Sequence, residues 1–251
     1  MSKVFLGVGH GGADPGAVGY IKEADVNLQM ALACKEFLEA NGVEVQMSRT
    51  RDENDTLSEE IRECNAYNPD VCVDIHNNAG GGDGFEAYYH HLGGRSKILA
   101  QNIEAEVKAI GQNSRGCKTR LNSKGNADYY GFIRETKASA VICEGVFVDN
   151  KADAAQADTL EEQRAFGIAY AKGILKTLGI AINNNAPVQK NTYLVKINTP
   201  VLNVRSGPGT KYKVNTTVQK GDVYTIVEEQ NHWGKLKSGA GWISLAYTIK
   251  L

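Results

Sequence analysis

The feature that most limits the possible folds is an alternation of short β-rich runs with amphipathic segments of helical length over the first 180 residues. The β-rich runs are Lys3–Gly9, Val43–Met47, Val71–His76, Phe85–His90 and Ala140–Cys143. The segments with helical spacing are Ala24–Ala40, Thr56–Tyr67, Ser96–Gly111 and Leu160–Leu178. Strands that alternate with helices are typical of α/β domains, so we expect an open, mostly parallel twisted sheet flanked by helices.

The pattern changes after residue 180. The segment IAINNNAPVQK, from Ile180 to Lys190, has three asparagines, one proline and no periodicity, which is typical of a linker. Beyond it we find only short β-rich runs separated by Gly, Pro and Asn turns, which predict a second, smaller all-β domain of barrel type. The predicted organisation is a first domain over 1–180, a linker over 181–190 and a second domain over 191–251.

Charge is distributed unevenly between the two parts. From Pro187 onward there are nine Lys and Arg against three Asp and Glu, a net charge of +6, which leaves −7 for the rest of a chain whose total is −1. Such an asymmetry indicates an anionic partner for the C-terminal part: nucleic acid, lipid or a phosphate-bearing wall polymer. A solvated lysine-rich surface explains the charge equally well.

The apolar runs and the cysteines indicate where the chain is made and whether its thiols are oxidised. No apolar run approaches the roughly 18–20 residues that span a bilayer, and the N-terminus lacks the features of a signal peptide. We therefore expect no membrane insertion and synthesis in the cytoplasm. The five cysteines are an odd number without a CxxC pair, so we expect reduced thiols: Cys34, Cys64, Cys72, Cys117 and Cys143.

Two of the five histidines follow predicted strands. His10 comes after VFLGVG and His76 after VCVDI. Because the carboxyl ends of parallel strands collect functional groups, these two side chains can converge on a metal, for which a carboxylate would have to supply a third ligand. Taken singly, each histidine fits a structural role better than a role as a ligand. His90 and His91 are adjacent on a predicted strand and should point to opposite faces, so we predict that they are not ligands.

Four motifs occur in order along the chain: Gly9-His10-Gly11-Gly12, then Asp14-Pro15-Gly16 with Glu23 in KEADVNL, then Asp74-Ile75-His76-Asn77-Asn78, and finally Glu144 in AVICEGVFVDN. Together they resemble the zinc-dependent amidase-3 family of N-acetylmuramoyl-L-alanine amidases. Two departures are visible: the glycine of the last motif is shifted by one place, and Asp74 stands where the family commonly has serine. We expect both to affect substrate fit rather than the reaction.

The resemblance implies one Zn²⁺ per catalytic domain, held by His10, Glu23 and His76. It implies that Glu144 is the catalytic acid/base and that zinc-activated water cleaves the amide between N-acetylmuramic acid and L-alanine. Asn77 is a predicted substrate-binding residue. Arg134 is another, because its guanidinium can hold a stem-peptide carboxylate, although a plain surface arginine is an equal alternative.

The C-terminal part resembles a bacterial SH3 domain. The residues that carry this likeness are LNVRSGPGTKYKV from Leu202 to Val214, the KGD that follows, Trp233–Leu236 and Gly241–Ser244. Such modules imply attachment to the wall, so the expected partners are bacterial peptidoglycan and anionic wall polymers, with no nucleic acid. Its aromatic residues can be core or binding surface.

Three alternatives compete with the amidase hypothesis. Gly7-x-Gly9-x-x-Gly12 matches a dinucleotide-binding fingerprint, but Ala13–Gly16 and further loop delay the helix that such a site needs. A cysteine hydrolase could pair Cys143 with His76. A wall-binding protein without activity is the third alternative, and retention of all the predicted ligands and Glu144 argues against it.

A wall hydrolase made in the cytoplasm needs a route out of the cell. A phage endolysin that acts on the wall after release fits this expectation best. The alternative is a bacterial autolysin or sporulation-associated amidase with the same chemistry.

Overall fold

The computed structural model describes residues 1–185, 193–230 and 232–250. They belong to two compact units, Met1–Val188 and Gln189–Leu251. The α/β class predicted for the first unit and the all-β class predicted for the second are confirmed. Residues 186–190 of the predicted linker lie outside the described residues, so the domain boundaries given above stay predictions.

The first unit follows the predicted alternation of strands and helices. Its elements are β1 (Lys3–Val8), α1 (Glu23–Ala40), β2 (Glu44–Met47), α2 (Leu57–Tyr67), β3 (Val71–Asn78), β4 (Phe85–Tyr89), α3 (Arg95–Ala109), β5 (Ser114–Lys118), α4 (Gly131–Glu135), β6 (Ser139–Phe147), α5 (Lys151–Ala154) and α6 (Leu160–Leu178). The elements absent from the sequence-based prediction are the short ones β5, α4 and α5.

The sheet of the first unit has the strand order β2-β1-β3-β6-β4-β5. Strands β2, β1, β3 and β6 are mutually parallel, and β4 pairs with β6 in the antiparallel direction. Only residues 79–84 separate β3 from β4, which is too short for the crossover that a parallel connection requires. The sheet is therefore mostly parallel, as predicted, with one reversal at the β6–β4 junction.

Local sequence explains where α2 and α6 begin and where α6 ends. Thr56 caps α2 and Thr159 caps α6, each in a reciprocal capping box with the glutamate three residues later. Gly179 ends α6 in the left-handed conformation with a φ of 70°. None of the helices in the described part of the chain has the length and hydrophobicity that a bilayer crossing requires.

Helices cover both faces of the sheet. On one face α1, α3 and α6 pack over a large core that includes Leu6, Met30 and Tyr170. On the other face α2 and α4 cover a smaller core around Phe5 and Phe132. Neighbouring residues of β1 face opposite cores because side chains alternate along a strand. The smaller helical layer leaves part of its face open near the carboxyl ends of β1, β3 and β6.

The second unit is an antiparallel sheet of short strands. Within the described residues its order is β13-β7-β10-β11-β12-β8-β9, with β7 (Tyr193–Ile197), β8 (Val201–Arg205), β9 (Val214–Gln219), β10 (Val223–Gln230), β11 (Trp233–Leu236), β12 (Trp242–Ser244) and β13 (Thr248–Lys250). Trp242 is buried, whereas Tyr212 and Tyr247 are exposed. The structure thus separates core aromatic residues from surface ones in this unit.

Candidate metal centre

Three predicted ligands from three separate elements meet at one edge of the first sheet. His10 follows β1 in a left-handed conformation with a φ of 63°, Glu23 is the first residue of α1, and His76 lies in β3. One ligand atom of each residue lies within 4.8 Å of the others. The structure therefore brings together the two histidines and the carboxylate named in the sequence analysis.

The carboxylate of Glu23 stands at the centre of this cluster. Its Oε1 lies 3.3 Å from His10 Nε2 and 3.1 Å from His76 Nδ1. The backbone N–H of Ala17 donates to Oε2, and the backbone N–H of Asn77 donates to Oε1. These bonds fix the carboxylate, which is only 4% exposed, in one orientation.

Each histidine also faces a carboxylate with its other ring nitrogen. His10 Nδ1 lies 2.8 Å from Asp14 Oδ2, and His76 Nε2 lies 3.3 Å from Asp74 Oδ2. A second carboxylate behind a histidine is typical of metal ligands, because it sets the tautomer and orients the ring. Both aspartates lie in the motifs that contain the ligands, but their position in the sequence did not indicate this role.

A close approach of the backbone explains Gly9. A Cβ atom at this position would lie 2.1 Å from Cε1 of His76. Any side chain would push the imidazole away from Glu23, so the glycine preceding His10 is needed for the cluster to form.

The electrostatics of the cluster favour a bound cation. Burial raises the pKa of Glu23, but hydrogen bonds with His10 and His76 outweigh it and hold the pKa well below the usual range. Burial lowers the pKa of His76, yet the charge of Asp74 and the contact with Glu23 raise it well above the usual value. Positive charge on His76 and negative charge on Glu23 thus stabilise each other, and a divalent cation can supply the positive charge instead.

Glu144 lies beside the cluster in a cleft of about 310 Å³ that His10 and His76 also line. It pairs in register with His76 across β3 and β6. The sequence had placed Glu144 just after the strand, but β6 extends past it to Phe147. Burial raises the pKa of Glu144 to about 7, with His76 opposing the shift and Glu23 adding to it. A carboxyl group with this pKa can both accept and return a proton at neutral pH.

Asn77 is placed differently from its prediction as a substrate-binding residue. Its side chain is buried; it donates to Asn27 Oδ1 at 2.7 Å and accepts from the backbone N–H of Val146 at 3.0 Å. With its amide engaged on both sides, Asn77 ties β3 to α1 and β6 and holds Glu23 through its backbone. The geometry favours a structural role, and a contact between Asn77 and substrate stays a prediction.

Arg134 lies at the end of α4 and is largely committed to internal bonds. One terminal nitrogen donates to the backbone carbonyls of Asp128 and Tyr129, and the other donates to Glu135. Tyr130, Gly131 and Phe132, which come just before Arg134 in the chain, line the cleft, whereas Arg134 does not. The geometry favours the surface-arginine alternative, and a contact between Arg134 and substrate stays a prediction.

His90 and His91 do not point to opposite faces. Strand β4 ends at Tyr89, so the alternation of a strand does not apply to them. Their rings stack at 4.7 Å, and both contact the buried carboxylate of Asp128, at 3.2 Å and 2.7 Å. The three side chains are close enough to hold a metal ion. However, the N–H of Leu92 donates to His90 Nδ1, so hydrogen bonds alone account for this group.

Two competing hypotheses find no support in the geometry. Cys143 is fully buried in the large core and pairs with Ile75, so it faces away from His76, and burial raises the pKa of its thiol well above the usual value. A dinucleotide site requires a helix directly after Gly12, but α1 begins only at Glu23.

Two histidines and a glutamate in one cluster, with a second glutamate in the adjoining cleft, form a candidate metal centre in an α/β domain. Comparison with known proteins identifies the family. Residues 4–176 match the family model described as N-acetylmuramoyl-L-alanine amidase, and residues 200–249 match the model described as bacterial SH3 domain.

Individual relatives agree with this match. The chain is 32% identical over 210 residues to the sporulation-specific N-acetylmuramoyl-L-alanine amidase of Bacillus subtilis (strain 168), covering 80% of this chain and 79% of the relative. It is 35% identical over 193 residues to the endolysin of Bacillus phage SPP1, and the match covers 72% of this chain and 68% of the endolysin. The solved catalytic domain of CwlV, an amidase from Bacillus (Paenibacillus) polymyxa var. colistinus, is 29% identical to this chain and aligns with a TM-score of 0.64. The alignment covers 72% of this chain and 100% of the CwlV domain.

The chain therefore belongs to the N-acetylmuramoyl-L-alanine amidase family and carries a bacterial SH3 domain. It is a peptidoglycan amidase, and the bond it hydrolyses joins N-acetylmuramic acid to L-alanine. The cluster of His10, Glu23 and His76 with Glu144 is the candidate centre for this hydrolysis.

Proposed function

We propose that this amidase works with one zinc ion held by His10, Glu23 and His76, and that Glu144 is its general acid and base. The observation that carries the proposal is the convergence of the three ligand atoms within 4.8 Å, beside a cleft that His10, His76 and Glu144 line. The resemblance of the four motifs to a zinc-dependent family supports the same assignment.

The donor set suits zinc. Imidazole nitrogens and a carboxylate oxygen are among its preferred ligands, and three protein ligands leave a fourth position open, as in catalytic zinc sites. Asp14 and Asp74 supply the outer partners that zinc-binding histidines usually have. When bound, zinc supplies Lewis-acid chemistry: it polarises the scissile carbonyl and makes a water molecule acidic near neutral pH.

The side chains of the protein supply the remaining steps. Glu144 accepts a proton from the attacking water as the new C–O bond forms at the amide carbonyl. The same carboxyl group then donates a proton to the nitrogen of L-alanine as the C–N bond breaks. Its pKa of about 7 suits both transfers, since neither protonation state is strongly disfavoured at neutral pH.

A chelation experiment with two product assays tests this proposal. Purified protein should release new amino groups from peptidoglycan without new reducing sugar ends. Activity should be lost in EDTA and return with Zn²⁺, whereas iodoacetamide should leave it unchanged because Cys143 is buried. Full activity after exhaustive chelation, or inactivation by iodoacetamide, would contradict the metal assignment.

We also propose that the protein is a phage endolysin, made in the cytoplasm of the bacterial host and active on the wall after release. The support is the likeness to the SPP1 endolysin, the more identical of the two relatives compared above. The likeness to the sporulation-specific amidase favours a bacterial amidase as the second candidate.

Controlled permeabilisation separates these two roles. Bacteria with a susceptible wall should continue to grow when the chain is expressed in their cytoplasm, and they should lyse within minutes once a pore-forming agent opens the membrane. A Glu144→Gln chain is the matched control for damage caused by the pore alone. Lysis on expression without permeabilisation would indicate export and contradict the endolysin role.

The proposed role of the SH3 domain is attachment to the wall, with anionic polymers among its ligands. The net charge of +6 from Pro187 onward supports this role. Among the described residues, Lys211 lies over the exposed ring of Tyr212. A cation beside an exposed aromatic ring presents both charge and apolar surface to a glycan-phosphate chain.

A further inference from the structure

Two buried carboxyl oxygens next to the metal centre have no hydrogen-bond partner in the described part of the chain. They are Glu60 Oε1 on α2 and Asp74 Oδ1 on β3, and both residues are at most 5% exposed. A Cβ atom at Gly7 would lie 1.9 Å from the first oxygen and 2.7 Å from the second. Gly7 thus leaves room for two carboxyl groups to meet beneath His76.

The other oxygen of Asp74 contacts a predicted metal ligand. Asp74 Oδ2 lies 3.3 Å from His76 Nε2, while Nδ1 of the same ring lies 3.1 Å from Glu23. A neutral imidazole has one N–H and one lone pair. A carboxylate at Nε2 holds the proton there, which leaves the lone pair of Nδ1 directed at the centre of the cluster.

We propose that Asp74 is a positioning residue for the metal centre: it fixes the tautomer and rotation of His76 so that Nδ1 faces the ion, and Glu60 seals Asp74 from water. This inference rests on the proposed zinc function. It also replaces the expectation that the departure at Asp74 affects substrate fit, because this carboxylate contacts a ligand.

The role assigned to Glu60 follows from its surroundings. Burial, together with the negative charge of Asp74, raises the pKa of Glu60 well above its usual value. The raised pKa favours the neutral form of Glu60. Because Glu60 is itself buried beside Asp74, it keeps solvent away from the Asp74 carboxylate.

Zinc affinity of the full-length chain tests the role of Asp74. Competition with a chromophoric chelator should show that Asp74→Ala weakens zinc binding about 10- to 100-fold. The zinc affinity of Asp74→Asn should lie between those of Asp74→Ala and the natural chain, since the amide oxygen of asparagine can still accept a hydrogen bond from His76. Asp128→Asn is the matched control: it removes a buried aspartate that contacts two other histidines, and zinc affinity should not change.

A spectroscopic measurement makes the test independent of folding losses. In the zinc-loaded natural chain, the Nε2 proton of His76 should be protected from exchange and visible in ¹⁵N-edited spectra. It should exchange rapidly in Asp74→Ala. An Asp74→Ala chain with zinc affinity within twofold of the natural chain and the same protected proton would overturn this inference alone. Absence of zinc binding by the natural chain would overturn the proposed function as well.

Discussion

Replacing Glu144 with glutamine should lower kcat by about 10²- to 10⁴-fold, the usual contribution of a general acid–base group. The amide of glutamine has nearly the shape of the carboxyl group but can neither take the proton of the attacking water nor return it to the leaving amine. Since Glu144 is separate from the three metal ligands, the variant should still bind one zinc ion per chain. Turnover on a soluble muramoyl-peptide and zinc analysis of the same sample measure both effects.

The pH profile provides a second readout for Glu144. Burial raises its pKa to about 7 in the protein alone, and a nearby cation lowers the pKa of a carboxyl group. Because the base must be ionised to accept a proton, kcat/KM should fall as the pH drops through this pKa, at or below about 7. The Glu144→Gln variant should lack this acid limb. Full activity of the variant would show that another group moves the proton.

Replacing His10 or His76 with alanine should remove both the metal and the activity. Each change deletes one of three ligands and leaves Glu23 with a single histidine contact. Because metal catalysis supplies several kcal/mol of transition-state stabilisation, turnover should fall by at least about a thousandfold. Zinc content after dialysis against a weak chelator should fall in parallel, which distinguishes these variants from Glu144→Gln.

His91→Ala is the matched control for the ligand variants. It removes a histidine that also contacts a buried carboxylate, but in the group with His90 and Asp128. Hydrogen bonds alone account for that group, so we expect its zinc content and turnover to match the natural chain. If the natural chain binds two zinc ions and His91→Ala binds one, the prediction that His90 and His91 are not ligands is wrong. If His76→Ala retains zinc and turnover, the ligand assignment fails.

The side-chain contacts in the structure suggest roles for two residues that differ from those expected from the sequence, although the fold is as predicted. Asn77 and Asp74 lie in the motif that contains His76, yet one ties neighbouring elements together and the other contacts the imidazole. Both lie within two residues of His76 in the same strand, so nearness in the sequence does not distinguish their roles. What separates them is the alternation of β3, which turns Asp74 and His76 to the cleft face and Asn77 to the opposite one.

The sequence by itself determined the elements and the family. Helical spacing, two capping boxes and β-rich runs defined most strands and helices, because these depend on contacts within a few residues. Four ordered motifs carried the resemblance to the amidases, and the family match agrees with it. The direction of β4 was not predicted, since it depends on how its strand pairs with β6.

Only the tertiary structure decided how the site is built. Glu23 and His76 are 53 residues apart in the sequence. Glu144 lies beside His76 because the register of β3 and β6 pairs these two residues. Such distances depend on sheet order, strand register and helix packing, which local sequence patterns do not specify. For the same reason the meeting of Glu60 with Asp74, and of His90 and His91 on one aspartate, became visible only in the folded chain.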